Sequence, residues 1–461
     1  MVQSLDLREA EGRILSDPII GRVFKEASER GVRIYLVGGA VRDFLLGREP
    51  KDYDFILEDF CPSFLRRLGD TMRTTYFPLG KGRGERVFRL VKDGKVLDFT
   101  LMAGRSLQED LLRRDFTINA IAYSPQQRRF YAPQRALEDL KAGRIDLLSP
   151  KALLNDPLRI LRALRYCSTI GFSITKRAEE EIKRQKDLLK KVAKERILME
   201  LDEIISSTSP ERALRPLALW GLLEVLFPEM EPLKGLEQGE YHQRDAFLHS
   251  VEVAIKALEI ARKDDLIPFT PQREDYLVLG YTGLFHDLGK PATRKVDQDG
   301  KVHFYGHPKV SKELALRIMK RYPFPSAVRE RVLRLVENHM RPLTLTTGNP
   351  TDRALRRLIH EMGEDIKPLL IFGLAEIEEK GRGDGERGAY LGLCQRILDL
   401  MSKEDVIHPP PLLRGQDLLD MGFSPGPAIG EILREVRRLQ IEGELRTKED
   451  AINFVRERFT H

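Results

Sequence analysis

Residues 33–57, RIYLVGGAVRDFLLGREPKDYDFIL, constrain the fold more than any other stretch, because a buried strand, a tight turn, a short helix and a second strand must follow with almost no spacer. RIYLV (33–37) is an apolar run of strand length, Gly38 and Gly39 supply the turn, and AVRDFLLG reads as a short helix closed by Gly47. DYDFIL (52–57) is the second strand, bounded by the Pro50-Lys51 turn and by Glu58-Asp59-Phe60. Two further β-like runs, RVFRLV and KVLDFTL, are joined by Asp93-Gly94, a strong hairpin signal. This stretch predicts a head of mixed strands and helices. From Leu153 the pattern changes: LRILRALRY and AEEEIKRQKDLLKKV carry apolar residues at three- and four-residue intervals, and strands become scarce.

A chain of 461 residues exceeds one ordinary domain. Linker-like stretches at 227–243 and 408–411 (HPPP) suggest a head over 1–150, a helical neck over 151–230, a third domain over 231–407 and a helical tail over 408–461. With 41% hydrophobic and 32% charged residues the composition is that of a globular protein. The absence of a long apolar run and of a signal-peptide pattern gives the expectation of a cytoplasmic protein without membrane contact. Cys61, Cys167 and Cys394 lie far apart, which argues against a disulfide framework or a thiolate zinc site. A net charge of +6 favours a polyanionic partner without proving one.

Asp52 and Asp54 are two apart on the expected strand, so the period of two puts both carboxylates on one face, where they can share a divalent cation. Magnesium prefers such hard oxygen ligands, and a pair of ions can activate an attacking hydroxyl while neutralising departing pyrophosphate. Asp98, in VLDFTL, is the natural third acid if its strand lies alongside. Two acids in a strand are by themselves more often a solvated face. Here the Gly38-Gly39 turn precedes them and offers backbone N–H groups to triphosphate oxygens.

YLVGGAVRDFLLGREPKDYDFIL resembles the signature of the class II tRNA nucleotidyltransferase and bacterial poly(A) polymerase family. The resemblance implies a polymerase-β-like head in an α+β fold, with an all-α region behind it. It also implies that Gly38, Gly39, Arg42 and Asp43 contact the incoming nucleotide or order its loop, and that Asp52 and Asp54 bind magnesium. LLRRDFTINAIAY (111–123) resembles the stretch whose Arg113, Arg114, Asp115 and Asn119 line the nucleotide site. Read by themselves, these charged residues would be a surface ion-pair cluster. The apolar tail FTINAIAY places them against the core, where guanidinium forks can hold phosphates.

NDPLRILRALRY (155–166) resembles the family's base-selecting motif, which assigns Asp156 and Arg159, with Arg162 and Arg165 beyond them, to the nucleotide. On one helix the Asp156 and Arg159 spacing would put both on one face. A carboxylate beside a guanidinium matches the amino donor and ring-nitrogen acceptor that cytosine and adenine share, and mismatches uracil and guanine. The family usually has Glu where this chain has Asn155, which bears on the orientation of Arg159. KRQKDLLKKVAKERI (183–197) is basic at helical spacing and fits an RNA backbone or a solvated helix face equally.

Six of the nine histidines fall between residues 242 and 339. His249, His286 with Asp287, His307 and His339 are candidate ligands of a divalent metal of unspecified identity. HDLGK (286–290), with HSVEVA before it and YGHPKVS after it, resembles the HD phosphohydrolase superfamily, which implies hydrolysis of phosphate esters. Where that superfamily usually reads Ala-Asp this chain has LAEIEEKGR, so Glu376 must replace the distal aspartate. Residues 412–455, with Pro425, Gly426 and Gly430 opening an arginine-rich helix, resemble the C-terminal segment of HD-containing tRNA nucleotidyltransferases. The leading expectation is template-independent transfer of C, A or both from CTP or ATP to the tRNA 3′ end. A poly(A) polymerase is the rival, and an HD phosphohydrolase with an RNA-binding head is the alternative of another class.

Overall fold

The structure, a computed structural model, describes residues 5–79, 87–237, 244–263, 266–381, 383–403 and 405–459. It divides into two units, Met1–Val225 and Leu226–His461.

The first unit is built on a mixed sheet of seven strands: β1 (Ile34–Val37), β2 (Tyr53–Leu57), β3 (Phe77–Leu79), β4 (Val87–Lys92), β5 (Lys95–Leu101), β6 (Ala122–Ser124) and β7 (Arg129–Tyr131). Their order across the sheet is β3-β4-β5-β2-β1-β6-β7, with β2 and β5 parallel and the other pairs antiparallel. Asp93 and Gly94 both have positive φ, 49° and 78°, so the expected two-residue hairpin turn joins β4 to β5. Alternation assigns the two faces of the sheet. Tyr53, Phe55, Leu97 and Phe99 share one, where Phe55 stacks on Phe99 at 4.9 Å and Phe24 and Phe64, from the helices Pro18–Glu29 and Pro62–Met72, meet them edge-on. Burying that face leaves Asp54 and Asp98 on the other.

Behind the sheet, the helices Arg159–Ile170, Lys194–Ser206 and Glu211–Leu219 form the expected helical neck and pack within the same unit. Much of the basic 183–197 stretch is internally paired, Lys183 with Glu179, Arg184 with Glu181 and Lys190 with Asp187. Two short strand pairs, Arg144–Ile145 with Ser173–Ile174 and, in the second unit, Lys295–Val296 with Val302–His303, were not legible as strands.

In the second unit, Ala246–Lys263, Arg273–Phe285 and Ile366–Glu379 form the centre of a helical domain. The first two approach so closely that a Cβ on Gly283 would lie 2.3 Å from the Ala254 Cα, and only glycine fits. The stretch expected to be a linker after Leu226 is packed rather than free: Phe227, Met230 and Leu233 are buried, the last two in a short 3₁₀ turn, Pro228–Leu233. Its remaining residues 238–243, with His242, lie outside the described residues. The tail folds as three helices, Gly415–Asp420, Pro427–Glu442 and Lys448–Phe459, around Leu418, Ile432, Val436, Leu439, Ala451 and Val455. Among the described residues no helix is long and apolar enough to cross a membrane.

Candidate active site and metal centre

Parallel pairing of β2 with β5 sets Asp54 in register with Asp98, the adjacency expected of the third acid. Asp52 lies one residue before β2 rather than within it, and its Oδ1 accepts the Val96 N–H at 3.1 Å. Gly38, with φ 73° and ψ −137°, turns the chain directly over Asp54: a Cβ there would lie 3.3 Å from the Asp54 Oδ2 and 2.9 Å from the Arg114 Nη1. Glycine turn, acid and guanidinium therefore meet at one point. The Gly38 N–H itself is spent on the Ile121 carbonyl at 3.1 Å, so the amides available to a ligand are those that follow it.

Solvent reaches Asp54 along its cleft, yet the walls desolvate its carboxyl and push it above the usual carboxylate range. Arg114 and Arg162 oppose that shift, whereas Asp98 and Asp52 add to it. A divalent cation at this point would favour the ionised form of Asp54. Asp98 is less open than expected, because Arg89 on β4 clamps both its oxygens at 2.7 and 2.6 Å.

The nucleotide-assigned residues form a second cluster. Arg42, buried, donates to Asp43 at 2.9 Å and to the Asn119 Oδ1 at 2.8 Å. The Asn119 Nδ2 donates to Asp115 at 3.0 Å and to the Tyr166 hydroxyl at 3.1 Å. Asp115 pairs with Arg162 at 2.8 Å, and Arg165 with Glu200 at 2.7 Å. Burial alone would push Asp115 up; Arg162, Asn119 and the Phe116 amide override it and hold the carboxyl below its usual range. The Nε atoms of Arg114 and Arg162 are buried with no hydrogen-bond partner among the described residues, donors that a bound anion would satisfy. Arg113 differs: its side chain is exposed and its carbonyl accepts from Arg159.

The expected pairing of Asp156 with Arg159 on one helix face is corrected. Asp156 is extended (φ −145°, ψ 99°) between the helices Ala152–Asn155 and Arg159–Ile170, because the following Pro157 disfavours helical backbone. Its carboxylate accepts the Leu158 N–H and pairs with Arg196 at 3.0 Å. Arg159 spends its guanidinium on the carbonyls of Arg113, Arg114 and Ala152. The two side chains stand close in sequence but have separate partners.

In the second unit the histidine candidates lie close together in two overlapping groups, His249, His286 and Glu376, and His286, Asp287 and His339. His249, His286, Asp287, His307, His339 and Glu376 are all buried. The Nδ1 atoms of His286, His307 and His339 lie 2.8–2.9 Å from the carbonyls of Gly283, Phe304 and Val336, which turns each Nε2 inward. The Glu376 Oε1 lies 2.8 Å from the His286 Nε2 and 3.3 Å from the His249 Nε2, so its side chain reaches both imidazoles. Asp287 lies 3.1 Å from the His286 Nε2 through Oδ2 and 3.4 Å from the His307 Nε2 through Oδ1. Among the described residues the His286 Nε2, both Asp287 oxygens and the Glu376 Oε1 have no well-angled hydrogen bond, although the Lys290 Nζ lies 2.6 Å from the Asp287 Oδ2, and the His307 and His339 Nε2 atoms face each other at 3.2 Å. Lone pairs converging in this way call for a cation between them, and imidazole with carboxylate is a donor set for a divalent transition metal. Burial favours neutral His286, but Asp287 and Glu376 overcome it and raise its pKa to about 9; burial and the neighbouring histidines push His339 down to about 3.

Sequence reasoning missed Arg89, Tyr166, Lys290, Lys380 and Glu379. Lys290 pairs with Asp287 at 2.6 Å, Lys380 with Glu376 at 2.5 Å, and Glu379 takes the His249 Nδ1. Their signal was helical spacing, three or four residues from a ligand candidate. His303, counted in the histidine cluster, pairs instead with Asp297 at 2.9 Å, away from the centre.

Known families divide the chain in the same order. The poly A polymerase head domain matches residues 34–102 and 83–146, the probable RNA and SrmB-binding site of polymerase A matches 171–234, and the HD domain matches 246–405. An A-adding tRNA nucleotidyltransferase of Deinococcus radiodurans is 35% identical over 91% of this chain and 94% of its own length. A CC-adding tRNA nucleotidyltransferase of Thermus thermophilus is 34% identical over 91% and 92%. A CCA-adding enzyme solved with CTP shares the fold with a TM-score of 0.71 at 19% identity, covering 99% of both chains. This chain belongs to the tRNA nucleotidyltransferase family, with an HD domain following the head along the sequence.

Proposed function

We propose that this chain transfers C, A or both from CTP or ATP to the 3′ end of tRNA without a template, releasing pyrophosphate. The observation that carries this reading is Asp54, in register with Asp98 and beneath the Gly38 turn, with the Arg114 guanidinium at the same point. Asp52 and Asp54 would hold magnesium, which when bound supplies the charge stabilisation that in-line nucleotidyl transfer requires. Arg114 and the amides after Gly38 orient the triphosphate, and Arg42, Asn119, Asp115, Arg162 and Arg165 fix the nucleoside end. Arg89 holds Asp98 upright beside Asp54. Asp156 and Arg159 remain candidates for reading the base edge, each positioned by its own partner rather than by the other.

The head over 1–150, the neck over 151–230, the HD domain over 231–407 and the tail over 408–461 divide this work in the cytoplasm: chemistry, RNA and base contact, a second centre, and RNA contact. In the HD domain His249, His286, Asp287, His307, His339 and Glu376 would hold a divalent cation, and phosphate-ester hydrolysis is the secondary activity that the likeness to the HD domain suggests.

Purified protein given tRNAs ending before CCA, after C and after CC, each with labelled CTP or ATP and magnesium, should extend at least one of them by the missing residues and stop. Asp54→Asn should abolish that incorporation. Long adenylate tails on arbitrary RNA would instead establish the poly(A) polymerase reading, and an activity lost only in His286→Ala would establish the hydrolase.

A further inference from the structure

Tyr166 occupies the middle of the nucleotide-assigned cluster; it ends the NDPLRILRALRY stretch, where the resemblance gave it no role. Its ring packs against the guanidinium of Arg42 at 5.1 Å and of Arg165 at 4.6 Å, and meets Phe116 edge-on at 5.8 Å. Its hydroxyl oxygen accepts from the Asn119 Nδ2 at 3.1 Å and from the Arg162 Nη2 at 3.3 Å. The circuit closes without leaving the cluster. Asn119 accepts from Arg42 and donates to Asp115, and Asp115 pairs with Arg162.

Three guanidiniums in so small a volume repel one another, and in a buried site that repulsion is poorly screened. Asp115 neutralises one. The Tyr166 ring separates two more with its electron-rich surface, and its oxygen gives Arg162 a fixed second contact. Burial and Asp115 raise the phenol, but Arg162, Arg42 and Arg165 outweigh them and bring it below its ordinary value, as suits an oxygen used for accepting hydrogen bonds. Without that oxygen, Asn119 and Arg162 would each lose a buried acceptor and could turn to other rotamers. The Arg162 Nε, which has no hydrogen-bond partner among the described residues, would turn with them.

We infer that Tyr166 is a positioning residue for the incoming nucleotide: its hydroxyl and ring hold Arg42, Asn119, Arg162 and Arg165 in one arrangement that receives CTP or ATP. The inference rests on the nucleotidyl-transfer reading above. It assigns Tyr166 no contact with the reacting atoms, so its effect belongs to nucleotide affinity rather than to the chemical step or to tRNA.

The test measures initial rates of the full chain on its preferred tRNA, varying nucleotide and tRNA separately, for wild type, Tyr166→Phe, Asn119→Ala and the double variant. Tyr166→Phe keeps the ring and removes the acceptor. Its KM for the nucleotide should rise about tenfold, the equivalent of one charge-assisted hydrogen bond, with kcat and the KM for tRNA unchanged. In the Asn119→Ala background the same change should have a smaller effect, because the two residues share the circuit. An unchanged nucleotide KM would overturn the inference. So would equal losses in kcat and in tRNA KM, or a fall in Tm showing that Tyr166→Phe merely unfolds the head. Wild type that transfers nothing, or an Asp54→Asn variant that transfers normally, would overturn the nucleotidyl-transfer reading itself.

Discussion

Replacing Gly38 with alanine separates backbone strain from damage to the site. Gly38 has φ 73° and ψ −137°, a region populated almost solely by glycine, so any side chain there should cost about 1–3 kcal/mol. Gly363 has nearly the same backbone, φ 57° and ψ −133°, but nothing lies within 4 Å of the Cβ it would carry. Both Gly38→Ala and Gly363→Ala should therefore lose comparable stability by urea denaturation. Only at Gly38 does the new Cβ lie 2.9 Å from the Arg114 Nη1 and 3.3 Å from the Asp54 Oδ2. The guanidinium must move, and the carboxylate loses its room. Relief needs shifts of a few tenths of an ångström, short of the ~1 Å misplacement that costs about a hundredfold, so single-turnover incorporation by Gly38→Ala should fall about tenfold while Gly363→Ala retains the wild-type rate. If Gly38→Ala lost stability but kept the wild-type rate, the turn would be a fold element only, and the site would have to lie elsewhere.

Two other outcomes follow from the same geometry. Asp115 is held below the usual carboxylate range, so its ionisation stabilises the fold above its unfolded value and the contribution is lost as pH falls through the folded one. Arg162→Gln removes the largest of the contacts that offset that burial, and its stability deficit in urea denaturation should be largest near pH 7 and narrow as pH falls toward about 4; a deficit independent of pH would refute the pairing. Burial pushes the Cys167 thiol up to about 12, whereas Cys61 is half-exposed at the start of the helix Pro62–Met72. Iodoacetamide at neutral pH should label Cys61 and spare Cys167 in the native protein, as read by mass spectrometry.

The parts of the site that sequence made legible are those with local causes. A glycine pair between an apolar run and an acidic strand, and Asp93-Gly94 between two alternating runs, dictate backbone through a few residues, and both formed where expected. The extended backbone of Asp156 was also local: Pro157 announced it, but the three-residue spacing to Arg159 was read as helix. What stayed hidden depends on strand register and helix rotation. Arg89 clamps Asp98 only because β4 and β5 pair those two positions, and Tyr166 meets Arg42 only because a neck helix packs against the head. The histidine centre had no periodicity to read, since its ligand candidates come from separate helices and helix ends. Their crowding along the chain and the HDLGK resemblance were the available signals, and crowding also drew in His303, which faces elsewhere.

Glu376 turns that last resemblance into a measurable geometry. Its helix would place an aspartate at the same Cα, yet the Oε1 already sits 2.8 Å from the His286 Nε2 and 3.3 Å from the His249 Nε2, while Lys380 holds the Oε2 at 2.5 Å. Glu376→Asp restores the residue usual at this place but draws the carboxylate back by about 1.5 Å, one C–C bond. Metal ligands tolerate only about 0.2 Å, so the superfamily's own aspartate should be the poorer ligand in this backbone. Titration of metal-stripped protein with cobalt or nickel, followed by calorimetry, should show Glu376→Asp and Glu376→Gln both weakened about ten- to a hundredfold, the first through reach and the second through charge. Circular dichroism and Tm of the same preparations report that the chain is folded. Binding by Glu376→Asp as tight as wild type would mean that the helix can shift to meet a shorter arm, and that side-chain length is not what adapts this centre to its ligand set.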